Sequence, residues 1–311
     1  MATKDINTLI DFITQINNFN TGGDYIYAYR GHADKQKFKL NPKISRDNKN
    51  LKNEHIMLRD FIVSRPVEFI DCRYTIDYLA KMQHYGLPTR LLDLTLNPLV
   101  SLYFASCEFN GNDGNSMENG EVICFKIPKN EIKYYDGDTV SILANIAKLP
   151  YDISGYTIPS NCKKKGNCKG CSINPNDCDI RSKCFYSKRL NNESIHYLQH
   201  EINYEKSHFK EKINPFDINS VVCVKAKMDT PRIINQSGLF LLYGMGDKNK
   251  KMPVPKRSWI KNRLTIMSDK KNDIIHDLSK FNMTKTYIFP EMENIAKDIA
   301  NQYSTSKGDN P

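Results

Sequence analysis

No stretch of this chain reaches the eighteen or so consecutive apolar residues of a membrane span, so a bundle of membrane helices is excluded. The opening run MATKDINTLIDFI lacks a basic region followed by an apolar core, so no signal peptide is read and a cytoplasmic protein is expected. Carboxylates are short: 35 Asp and Glu face 45 Lys and Arg, for a net charge of +10. That balance favours acidic partners such as nucleic acid, nucleotide phosphates or an anionic surface, or else describes a solvated, lysine-rich exterior. Internal repeats are absent. Apolar residues are not scarce: at 40% they exclude global disorder. In a cytoplasmic chain the nine cysteines read as thiols or metal ligands before disulfides.

Hydrophobic spacing predicts helices over Ile6–Ile16, Asn53–Arg65, Thr75–Gly86, Asn97–Phe109, Asn272–Met283 and Pro290–Tyr303. Gly86 reads as a helix C-cap, and Asn97 with Pro98 as an N-terminal cap and first turn. Alternating runs predict strands over Asp24–His32, Asn119–Pro128, Ile218–Met228 and Gly238–Gly244. The expected fold is therefore α+β, with a mixed, strongly curved central sheet flanked by helices.

Residues 152–189 break this pattern and read as a cysteine-rich insertion. Cys168 and Cys171 form a C-x-x-C knuckle, which Cys178 and Cys184 can complete as a four-thiolate site, leaving Cys162 spare. Zinc is the first reading, an iron–sulfur cluster the second, and a loop of free thiols or disulfides the third. A metal would supply fold energy that so polar a segment lacks. Cys72, Cys107, Cys124 and Cys223 read as core thiols. His196 and His200 stand four apart on one helix face, spacing that suits a metal or a surface pair.

Four runs carry a resemblance: YRGH at Tyr29–His32, LNPKISR at Leu40–Arg46, QHYGLPTRLLDLTLNPLVSLYFA at Gln83–Ala105, and FPEMENIAKDI from Phe289. Together they resemble the FRG domain, a bacterial and phage-associated family named for a Phe/Tyr-Arg-Gly motif. The resemblance spans the chain from residue 21 onward, apart from the insertion, and leaves residues 1–20 as an N-terminal helix. Tyr29 replaces the common Phe, and Leu94 stands where Trp is usual.

Arg30, ending an apolar strand, can offer a bidentate fork to a phosphate, and Gly31 would let the ligand approach; an internal ion pair with Asp93 is the alternative. His84, Tyr85, Arg90, Asp93 and Thr95 form a polar cluster inside an apolar run. Such groups need partners or a ligand. A third segment contributes Gln236, then Gly238 and Phe240. An Arg on an early strand, a Thr-bearing segment and a late strand led by a polar residue are similar in order to the ADP-ribosyltransferase superfamily. That similarity implies NAD as cofactor. Tyr29, Arg30, Gly31, Tyr85, Arg90, Asp93 and Phe240 would hold it, and Arg30, His84, Thr95 and Gln236 would serve the reaction. The superfamily's late glutamate is missing, so Glu201, Glu205 or Glu54 is expected to supply the carboxylate. The function so implied is transfer of ADP-ribose to a protein or nucleic-acid acceptor, as a toxin or antiviral effector. The alternative is a non-catalytic module that senses a nucleotide, a nucleic acid or a phage component.

Overall fold

A computed structural model describes residues 4–19, 23–107, 118–150, 192–209, 213, 218–246 and 252–304. Eight strands form one sheet: β1 (Lys4–Ile6), β2 (Tyr25–His32), β3 (Leu91–Thr95), β4 (Gly120–Pro128), β5 (Ile132–Tyr134), β6 (Val221–Lys225), β7 (Gly238–Tyr243) and β8 (Ile260–Ile266). Their order is β1-β8-β4-β2-β3-β7-β6-β5. The edge strands β1 and β5 pair parallel to their neighbours; every other pairing is antiparallel. Eleven α-helices accompany the sheet among the described residues, so the α+β class holds.

The ladder is uneven at its centre. β2 pairs with β4 along all eight of its residues, from Tyr25 opposite Pro128 to His32 opposite Glu121. Against β3 it pairs only at Tyr29 opposite Thr95. The sheet is thus two four-stranded halves joined at one rung. On the face carrying Tyr29 and Thr95, two apolar clusters lie over the halves. One joins Tyr29, Val122, Cys124, Leu264 and Ile266 to the helices Leu9–Asn17, Pro98–Ser106 and Lys271–Ser279. The other joins Leu91, Val222, Val224, Phe240 and Leu242 to the helices Glu54–Ser64, Thr75–His84 and Asp138–Asn145. The opposite face holds a single cluster across both halves, from Phe125 and Ala28 to Leu92, Leu241 and Val221, with Leu40, Met252 and Trp259 packed on it.

This corrects the expected curvature. The sheet is open and not strongly curled, because both faces are covered by other segments and neither must fold over itself to leave water. Ile6, Leu9 and Phe12 belong to the same core as β4 and β8, so the N-terminal segment packs as part of the sheet unit. Its helix starts at a capping box, with Thr8 accepting from the Asp11 amide and Asp11 accepting from the Thr8 amide. The expected insertion at 152–189, with Cys168, Cys171, Cys178 and Cys184, lies outside the described residues.

Candidate functional site

The split between β2 and β3 opens a cavity of about 280 Å³. Its walls include Arg30, Lys43, Arg46, Gln83, His84, Asp93, Arg232, Gln236 and Phe240. A smaller adjoining space, about 120 Å³, is bordered by Tyr29, Gly31, Thr95 and Phe104, and shares Arg30, Asp93, Arg232 and Gln236 with the first. Residues more than two hundred positions apart therefore meet at one place.

Arg30 sits in the gap itself. By register its Cα belongs to the face opposite Tyr29, yet its Nη1 donates to the Asp93 carbonyl on β3. The guanidinium thus meets a strand edge that a continuous ladder would have supplied with amides. Its Nε donates to His32 Nε2 at 3.0 Å. Burial draws the Arg30 pKa down, Asp93 opposes that shift, and Arg46 adds to it. Lys43 and Arg46 stand exposed at the rim. Lys43 Nζ donates to the Gly86 carbonyl at 2.9 Å, and Arg46 Nη2 to the Asn41 carbonyl at 3.3 Å. Among the described residues, none of Arg30, Lys43 and Arg46 has a carboxylate oxygen within 4.0 Å. The cavity thus holds these three cations against one carboxylate, Asp93, whose charge acts on Arg30 and Arg46 from beyond ion-pair distance, so its balance is positive.

Asp93 is the acidic group lining the cavity. It is exposed at the middle of β3, between buried Leu92 and Leu94. Gln83 holds it, donating from Nε2 to Oδ1 at 2.6 Å, and the hydroxyl of Thr89 donates to Gln83 Oε1. The carboxylate is therefore fixed by two neighbours in series. Beside the cavity, His84 Nε2 lies 3.0 Å from Glu291 Oε1, and Arg232 Nη1 reaches the same oxygen at 3.4 Å. Arg232 also stacks on Phe289, 4.7 Å from the ring centre. Burial would raise the Glu291 pKa, but hydrogen bonds from its own backbone and His84, together with the Arg232 charge, pull it below the usual glutamate value.

Other expected site residues have different surroundings. Arg90 is buried against Glu54 in a two-point ion pair, and its Nη1 also donates to the Tyr243 and Gly244 carbonyls at 3.0 and 3.4 Å. It fastens the helix Glu54–Ser64 to the end of β7 and does not line the cavity. Glu201 lies between Arg59 and Lys148, at 3.6 and 3.5 Å, and Glu205 accepts from Thr75; neither borders the cavity. Tyr85 stacks on His84 and donates to Glu68 at the outer side. Thr95 Oγ1 donates to the Gln236 carbonyl and accepts from the Asn97 amide, so it ties β3 to the turn before β7. Gln236 Nε2 donates to the Ile288 carbonyl at 3.0 Å, and Ser237 beside it takes a positive φ of 47°. Gly31 is the floor for a helix: a Cβ there would lie 2.0 Å from the Ser101 carbonyl oxygen.

Sequence reading placed Arg30, His84, Asp93, Gln236 and Phe240 at the site, and missed Lys43, Arg46, Gln83, Arg232 and Glu291. Lys43, Arg46 and Gln83 lie inside the runs LNPKISR and QHYGLPTR, and Glu291 inside FPEMENIAKDI, so membership of those runs was the usable signal. Arg232 had none. The four described cysteines are free thiols. Burial pushes Cys124 and Cys223 up to about 12, and Cys72 and Cys107 to about 11. His196 and His200 are both exposed, and His200 lies edge-on to Tyr204. Among the described residues no group of three or more His, Cys, Asp or Glu could hold a metal ion, and no helix is long and apolar enough to cross a membrane.

Comparison with known proteins bears on the first part of the chain. No curated protein and no solved structure matches it significantly. Residues 25–114 match the family model of the FRG domain. That span contains Arg30, Lys43, Arg46, Gln83, His84 and Asp93, whereas Arg232, Gln236 and Glu291 lie beyond it. The part of the chain from 25 to 114 is thus similar to the FRG domain, and those six residues of that span line one cavity.

Proposed function

We propose that the cavity binds a phosphate-bearing nucleotide, with NAD as the ligand, and that the protein transfers ADP-ribose from it to a macromolecular acceptor. The observation that carries the binding step is the trio Arg30, Lys43 and Arg46, which line one cavity without a carboxylate within ion-pair distance among the described residues. A diphosphate would take the forked guanidinium of Arg30 at depth and the rim cations above it. The volume of about 280 Å³ is at the low end for a ligand site. It suits a diphosphate and one ring, with the rest of a dinucleotide extending toward solvent.

The transfer step follows from Asp93. The glycosidic bond to nicotinamide breaks with its electron pair leaving on the nicotinamide. The sugar carbon becomes cationic, and the acceptor's nucleophile bonds to it and gives up a proton. A fixed carboxylate stabilises that cation, and Asp93 is the fixed carboxylate in this cavity. It takes the role first expected of Glu201. The reading as a sensor without chemistry rests on one feature: among the described residues no glutamate lines the cavity.

Labelled NAD incubated with the protein and total cellular protein and RNA separates the two readings, since only the transferase leaves label on an acceptor. NAD titration of Arg30 variants tests the site. Arg30→Lys and Arg30→Ala should each weaken binding by about 2–4 kcal/mol while the melt stays near the wild type, because a lysine lacks the planar fork. Normal NAD binding by either variant would refute the site.

A further inference from the structure

The stretch Lys35–Lys52 carries seven Lys and Arg against one carboxylate, Asp47, and so supplies six of the chain's ten net positive charges within eighteen residues. Asp47 is engaged with the backbone, accepting from the Lys49 amide at 2.8 Å as cap of the helix Asn48–Lys52. Lys37, Lys39, Lys43, Arg46, Lys49 and Lys52 are all exposed. A general solvated exterior would spread such an excess over the whole surface. In this chain it is concentrated in runs, of which Lys248–Arg263 is another, with seven Lys and Arg and no carboxylate; what distinguishes Lys35–Lys52 is its place, since Lys43 and Arg46 near its middle form the rim of the candidate site.

The segment is also held in place. The Lys35 amide donates to the Asn119 carbonyl at 2.9 Å, Tyr243 Oη to the Leu40 carbonyl at 2.9 Å, and the Ile44 amide to the Thr89 carbonyl at 3.2 Å. Ile44 is fully buried, and Phe38 lies against His32 and beneath the Arg46 guanidinium. Exposed cations thus project from a backbone anchored by its apolar residues. A polyanion binding there would not have to order the chain first.

We infer that Lys35–Lys52 is a docking surface for a nucleic-acid strand, bound through its phosphodiester backbone, which brings the strand to the mouth of the cavity. A run of cations facing a run of phosphates gives binding that is sequence-tolerant and driven by counterion release. Binding at this surface stands without the nucleotide reading. The further role of the strand as ADP-ribose acceptor rests on it.

The test uses the full chain and fluorescently labelled 20-nucleotide single-stranded RNA, single-stranded DNA and duplex DNA, followed by anisotropy at 50 and 200 mM salt. Wild type should bind at least one of the three, more weakly at the higher salt. Lys39→Glu/Lys52→Glu should weaken binding by about tenfold or more and flatten the salt dependence by about 1.4 in log–log slope, for two lost phosphate contacts. Lys261→Glu, an exposed cation on β8, should leave binding unchanged. The inference is overturned by absence of binding to all three probes or by equal losses in the two charge variants. It is also overturned if the protein binds anionic vesicles in preference to every nucleic acid. NAD titration keeps the two readings apart: the Lys39/Lys52 variant should bind NAD normally, and Arg30→Lys should bind the strand nearly as wild type.

Discussion

Arg30 reaches the cavity because a neutral histidine holds it there. His32 Nε2 accepts the Arg30 Nε–H at 3.0 Å, which places the ring proton on Nδ1, 3.8 Å from Glu121. Glu121 is itself bound to Arg263 at 2.8 Å. Burial lowers the His32 pKa, Glu121 opposes the shift, and the charges on Arg30 and Arg46 deepen it. Protonating Nε2 would remove the hydrogen bond and put a third positive charge into a cationic cluster. The sign follows from linkage. Below the unfolded histidine value of about 6.5, the unfolded chain binds a proton that the folded chain refuses, so stability falls as pH falls through that window, by up to about 1.4 kcal/mol per pH unit. Glu121, with its folded pKa lowered chiefly by His32 and Arg263 against burial, loses its contribution only at lower pH. Urea melts between pH 7.5 and 5 should therefore show His32→Gln with a flatter profile than wild type by about one proton. Parallel profiles would mean that His32 is not held neutral.

At the scale of elements, the strand β2 and the helix Pro98–Ser106 meet without side chains between them. A Cβ on Gly31 would lie 2.0 Å from the Ser101 carbonyl oxygen and 2.8 Å from the Ala105 amide nitrogen, and one on Gly120 of β4 would lie 2.1 Å from the Ala105 carbonyl oxygen. The glycine of the Tyr-Arg-Gly motif lets a helix rest on the sheet, and so sets the depth of Tyr29, Thr95 and Phe104 beside it. Gly31→Ala should then cost about 3 kcal/mol in a denaturant melt, since the obstacle is backbone and not a mobile side-chain end. A wild-type melt would show that the helix can lift freely. This role was not legible in the sequence, where a glycine after an arginine equally suggests ligand approach. What was legible has a local cause. Asn97 and Pro98 announce a helix start, Gly86 with φ of 88° announces a stop, and Gly120–Pro128 alternates as a strand should. β1 and β5 have three residues each, too few for alternation to register, and β8 carries Lys261, Asn262 and Arg263 in its first half. The site divides in the same way. Arg30 and Asp93 stood out as charges in apolar runs, whereas Lys43, Arg46 and Arg232 look like surface cations until the fold turns them to one opening. Glu201 fails for want of proximity, which spacing along a chain cannot reveal.

At the scale of the molecule, the single rung between β2 and β3 gives the cavity its energetic leverage. Arg30 belongs to the half built on β4 and β8, and Asp93, Arg232, Gln236 and Phe240 belong to or border the half built on β7. The halves share an apolar cluster on the opposite face, where Ala28 and Ile123 meet Leu92, Leu94 and Leu239. On the cavity side the line is crossed by the Arg30–Asp93 contact, the Tyr29–Thr95 rung and the segment Tyr287–Phe289, whose Tyr287 and Ile288 carbonyls accept from Asn235 and Gln236 and whose Phe289 ring lies under Arg232. A ligand that neutralises Arg30 while touching Arg232 or Gln236 would add a further fastening there. By mass action, NAD at about one hundred times its dissociation constant should stabilise the folded chain by about 2.7 kcal/mol. If NAD binds across the split as proposed, slowed amide hydrogen exchange should appear on both sides of it, in β2 and β4 as well as in β3 and β7. Slowing restricted to one half would show that the ligand sits on a single wall, and the cavity would then be a surface of one half-sheet instead of the seam between two.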